Sequence, residues 1–143
     1  MRRSIWGIAV VLLLLLTACG KPPLPEVHTA DGTSIDVYLG SYCWGNTCAD
    51  SVGAEEILKD KNKQTVPAGM VISFAFDGKQ PTETGMSLMH DGKLTKVAFE
   101  DQSFKAPAEP GVYYYSLFAK WRKTPDSKIS DDASYVFAVE VKG

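Results

Sequence analysis

Only a few residues in this 143-residue chain have types and spacings suited to chemistry. Met86, Met89 and His90 lie within five positions of one another. Thioether and imidazole groups are soft ligands that suit copper(I). On a strand, however, Met86 and His90 share one face and Met89 points to the other. The expectation is therefore a methionine-bearing strand with a histidine near a hairpin, and copper binding by Met86, Met89 and His90 is the alternative. Asp126, Ser127, Ser130, Asp131 and Asp132 crowd oxygens into one stretch, without the spacing of a calcium-binding EF-hand loop. The acidic pairs Glu55-Glu56 and Asp131-Asp132 sit in polar surroundings, where nothing would raise a carboxyl pKa. There is no Gly-x-Ser-x-Gly elbow, no glycine loop for a phosphate, and only two histidines. A non-catalytic protein without a cofactor is expected.

Aromatic residues are the better candidates for binding. Tyr42 and Trp44 flank Cys43, and Tyr114 and Phe118 alternate with Tyr113, Leu117 and Trp121. If the Tyr114 and Phe118 face is open, it is a large apolar patch, and aromatic side chains are the usual anchors of interfaces.

The N-terminal residues address location. Arg2 and Arg3 precede an almost purely apolar run, Ile5 to Leu16. That run falls short of the roughly 20 residues of a membrane span and suits a signal-peptide core. It leads into Leu16-Thr17-Ala18-Cys19-Gly20, which resembles the lipobox of bacterial lipoproteins. The resemblance implies cleavage after Ala18, a diacylglycerol thioether on Cys19, and a protein held on the cell membrane facing away from the cytoplasm. Two acyl chains anchor stably where one does not. Without residues 1–18, Arg2 and Arg3 are lost and the net charge moves from −2 to −4. An acidic body excludes nucleic acid as the expected partner and gives no electrostatic reason to dock on anionic lipid. The membrane, through the lipid, and an envelope protein or ligand are the expected partners.

Export also frames Cys43 and Cys48. They are an even pair separated by Trp44-Gly45-Asn46-Thr47, in a compartment that permits disulfides. A structural disulfide is the leading reading. The C-x-x-C spacing of a redox pair is absent, and no second pair of ligands offers zinc a site. Two free thiols remain the other alternative.

These groups need elements to hold them. Residues 19–32 read as a lipidated cysteine followed by a Pro-rich linker (Pro22, Pro23, Pro25), a stiff spacer rising about 3.1 Å per residue. Residues 33–143 read as one domain. Apolar alternation predicts strands at 34–39, 71–76, 85–90, 94–99, 103–105, 112–121 and 133–141. Asp91-Gly92 marks a two-residue hairpin. Ala49 to Asp60 predicts one or two helical turns, capped by Asp50 or Ser51, with Lys59, Lys61 and Lys63 at the C-terminal end. Crossover helices are missing between the strands, so the expected fold is all-β, an immunoglobulin-like antiparallel sandwich of about seven strands. Tyr113, just after Glu109-Pro110-Gly111, is a candidate to cap that corner through its hydroxyl.

The segments Gly40-Ser41-Tyr42-Cys43-Trp44, Cys48-Ala49-Asp50, Val66-Pro67-Ala68-Gly69, Phe104-Lys105-Ala106-Pro107, Pro110-Gly111-Val112-Tyr113, Ala119-Lys120-Trp121 and Ala133-Ser134-Tyr135 carry a further likeness. Together they make residues 36–141 resemble a family of small extracytoplasmic lipoproteins of Gram-positive bacteria. That resemblance implies location and fold, and no catalytic residues come with it.

Overall fold

The computed structural model describes residues 20–126 and 128–143. The expected signal peptide and the lipidation site at Cys19 lie outside the described residues. So does Ser127.

Alternation of large apolar and small or polar residues produces an all-β sandwich. Its strands are β1 (Glu26–Thr29), β2 (Ser34–Ile35), β3 (Tyr38–Trp44), β4 (Thr47–Ala49), β5 (Gln64–Pro67), β6 (Val71–Ala75), β7 (Glu83–His90), β8 (Lys93–Lys96), β9 (Ser103–Lys105), β10 (Gly111–Arg122) and β11 (Ser130–Lys142). One helix, α1 (Ala54–Leu58), joins β4 to β5. The smaller sheet has the order β2-β1-β6-β9. The larger runs β4-β3-β11-β10-β7-β8, with β5 also pairing with β11.

The core lies between the sheets. From β10 come Tyr113, Tyr115, Leu117, Ala119 and Trp121, and from β11 Tyr135, Phe137, Val139 and Val141, all buried. Facing them from the smaller sheet are Val27, Ile35, Ile72, Phe74 and Phe104. The Tyr115 and Phe137 rings stack with centroids 5.0 Å apart. Asp91 and Gly92 both take positive φ and close the β7–β8 hairpin, as the sequence predicts.

Several elements depart from expectation. The sandwich begins at Glu26, inside the segment read as linker: Val27 pairs with Phe74 on one side and Ile35 on the other. Burial extends to Pro22 and Pro25. The stretch 34–39 is two strands, and the chain crosses from one sheet to the other at Asp36–Val37. β5 pairs with β11 in parallel, and β4 adds a short edge. The described strands therefore number eleven rather than about seven. The N-cap of α1 is Gly53 without a side-chain bond; the Ser51 hydroxyl, expected as a cap, lies two residues earlier and donates to the Val52 carbonyl at 3.1 Å. The lysine end behaves as expected: Lys63 Nζ donates to the Leu58 carbonyl at 3.0 Å.

Candidate functional site

Three places on this frame concentrate the residues that the sequence singles out. The first is the β3–β4 hairpin. Cys43 and Cys48 pair directly across the strands and form a disulfide, with Cα atoms 4.1 Å apart. A bulge precedes it. Opposite Ser134, β3 places two residues, Gly40 and Ser41, so that Leu39 pairs with Tyr135 and Tyr42 with Ala133. The extra residue turns both Leu39 and Tyr42 toward the core. Gly40 suits the bulge, since a Cβ there would approach the Ser134 carbonyl oxygen tightly, at 3.2 Å. Tyr42 and Trp44, expected as exposed anchors, are therefore half-buried against the core. Trp44 meets Trp121 edge to face at 5.2 Å. Trp121 donates from Nε1 to the Lys79 carbonyl at 3.1 Å, and Asp131 accepts from the Gly45 backbone N–H at 3.0 Å. What remains open is a shallow cleft of about 270 Å³ shared with Pro23.

The second place is the end of β7. Met86 is buried in the core. Met89, three residues on, lines the opposite face beside α1. A copper site would have to draw these two ligands from opposite sides of the sheet. His90 is held by its own neighbours: its ring stacks on Tyr113 at 4.1 Å, and Nδ1 lies 2.8 Å from the Val112 carbonyl. A carbonyl can only accept, so Nδ1 carries the proton of that bond. Nε2 is 3.3 Å from Asp91 Oδ2. Gly111, at φ +152, leaves room for the ring: a Cβ there would stand 2.7 Å from His90 Cε1. Tyr113 donates its hydroxyl to the Glu109 carbonyl at 2.7 Å, the corner cap that the sequence suggests. Burial and the charges of Glu109 and Asp91 raise its pKa.

The third place is the outward face of the larger sheet. Here α1 covers Val136 and Ala138 with Leu58, Ile57 and Ala54. Two lysines extend the cover, with Lys61 Nζ 5.1 Å above the Tyr38 ring and Lys63 Nζ 5.7 Å above Tyr114. Tyr114 is thus half-buried, while Phe118, on the same face of β10, is 38% exposed. Beside α1 the face dips into a groove of about 510 Å³ between the helix and Ser87, Met89, Leu94 and Ser116. Leu94 is 63% exposed on the edge strand β8. Glu55 and Glu56 stand on the helix side of the groove, and Lys93 and Lys96 flank Leu94. Sequence reasoning did not pick out Leu94 as a binding residue. The available signal was one large aliphatic residue among the charged positions after the Asp91-Gly92 turn.

Among the described residues, no group of three or more His, Cys, Asp or Glu side chains is placed to hold a metal ion, and no helix is long and apolar enough to cross a membrane. Comparison of the chain with protein-family models gives no match, and comparison with curated proteins gives none.

Proposed function

We propose that this chain is a lipid-anchored protein of the bacterial cell envelope, facing away from the cytoplasm. It belongs, on this reading, to the lipoprotein family that its Gly-Ser-Tyr-Cys-Trp and second-Cys signature resembles. It works as a non-catalytic interaction module. The anchor reading is supported by the lipobox ending at Cys19, and a disulfide suits an exported protein.

The observation that carries the binding role is the groove beside α1. An outward sheet face usually presents small or charged residues to water. This one presents Met89 and Leu94 at a depression with an acidic helix rim and a basic strand rim, and the exposed Phe118 two residues along β10 from the groove-lining Ser116. Such a surface fits an apolar segment of another envelope protein with charges of both signs beside it.

Site-specific photo-crosslinking in intact cells tests this. A photoreactive amino acid at Leu94 should trap one discrete adduct, and the same probe at Ser34 on the smaller sheet should not. Phe118→Asp should weaken the adduct while leaving the melting temperature unchanged. Equal, diffuse crosslinking from both faces would end the proposal.

A further inference from the structure

The residues after the expected anchor point do not form a free spacer. Pro22 and Pro25 are buried and Pro23 is half-buried. Pro23 lies beside Trp44 and Trp121, and Glu26 then pairs with Ala75. Proline rings pre-set φ, so holding this segment against the domain costs little conformational entropy. The chain therefore departs from one pole of the sandwich, where the Gly45-Asn46 turn, the segment after β6 and the β10–β11 connection also lie.

Only two residues, Gly20 and Lys21, separate Pro22 from Cys19, a span of about 11 Å at full extension. The same pole exposes two aliphatic side chains, Leu24 at 54% and Ile129 at 69%. Ile129 is positioned by its carbonyl, which accepts from the Lys123 backbone N–H at 3.3 Å. Lys21, Lys123 and Lys128 are exposed around them and can lay their methylene stems along an apolar surface with the ammonium groups in water. Lys79 adds a fourth cation at this pole, and Asp77, Asp126 and Asp131 leave an excess of about one positive charge, so net charge is not the main attraction. A short tether is: it supplies the effective concentration that two aliphatic contacts lack on their own.

We propose that this pole is seated on the lipid surface, with Leu24 and Ile129 at the headgroup boundary. The proposal rests on the lipid-anchor reading above. It sets β10 upright on the bilayer, points the Tyr113 corner away from the membrane, and leaves the groove beside α1 facing sideways.

The test uses the full chain made with its own leader, purified with its lipid and reconstituted in vesicles of phosphatidylethanolamine and phosphatidylglycerol. With Cys43 and Cys48 bridged and Cys19 acylated, one added cysteine is the sole reactive thiol. Lys128→Cys places a donor fluorophore at the seated pole and Ala108→Cys at the opposite one, with an acceptor on the lipid headgroups. The twelve residues of β10 separate the poles by about 35–40 Å. Energy transfer from position 128 should exceed that from position 108 at least about twofold. A lipidated intact mass with equal transfer from both positions, or stronger transfer from 108, would overturn the seating alone. An intact mass without lipid on Cys19 would overturn the anchor reading and the seating with it.

Discussion

The two poles of the sandwich are closed by different means. At the pole where the N-terminal segment leaves, the closures are a covalent bridge, Cys43–Cys48, the indoles of Trp44 and Trp121, and buried prolines. At the far pole they are hydrogen bonds and a ring stack: Tyr113 to the Glu109 carbonyl, His90 to the Val112 carbonyl, and His90 on Tyr113. One pole is stapled and the other is assembled from pieces that separate one at a time. Under the seating proposed above, the stapled pole is the one that rests on the lipid.

Changes at each pole can break or sharpen this contrast. The largest expected effect belongs to Gly111→Ala. The new methyl meets the His90 ring at a backbone conformation that L side chains rarely adopt, and the loss should be about 3 kcal/mol in denaturant unfolding. A loss below half a kilocalorie would mean that the His90 stack gives way freely and the far pole is looser than described.

Next comes alkaline pH, which probes the core shared by both poles. Burial pushes the pKa of both Tyr115 and Tyr135 far above the ordinary tyrosine value. A raised folded pKa stabilises below the unfolded value of about 10 and loses that stabilisation as pH rises further. The loss should reach about 1.4 kcal/mol per pH unit for each tyrosine. Tyr135→Phe should remove that residue's share of the slope above pH 10 and leave the shares of Tyr115 and Tyr113, and an unchanged slope would show that other groups govern it.

Replacing both Cys43 and Cys48 by Ser should cost about 2 kcal/mol, since the loop they close is short. Combined with a far-pole substitution, the loss should be additive, because the poles share no partners. Coupling between them would contradict independent closure. The smallest effects come from two hydroxyls. Tyr113→Phe removes a made bond and should cost about 1 kcal/mol. The Tyr135 hydroxyl is buried without a hydrogen-bond partner among the described residues, so Tyr135→Phe should leave neutral-pH stability unchanged or slightly raise it.

The fold was legible where strands are long. In β10 and β11 the inward set of large apolar residues is the one the alternation marks, and Asp91-Gly92 is the turn it promises. The short strand β9 stands at 103–105 as the alternation marks it, but β1 and β5 were not legible, for a physical reason. β1 and β5 each contribute one large buried aliphatic, Val27 and Val66, too few for a period to show. Their strand character comes from partners distant in sequence, Phe74 and Val141. The candidate sites read unevenly. The disulfide followed from the pair, Cys43 and Cys48, that is left once Cys19 is read as the lipidation site of an exported chain. Trp44 and Tyr42 turned inward because of a bulge whose only sequence trace is Gly40. Tyr114 and Phe118 share a face as expected, yet the length of α1 and the reach of Lys63 decide that one is covered and the other open.

The central position of β11 has a consequence for when this protein can fold. β3, β5 and β10 all pair with β11, and all precede it in the chain. Until β11 is delivered, β3–β4 and β10–β7–β8 are separate ribbons with unpaired edges, and the larger sheet has no centre. Contacts this distant in sequence also make closure slow. Under the export reading proposed above, that order of events keeps the larger sheet open until β11 emerges, and β11 is the strand that lets it lock.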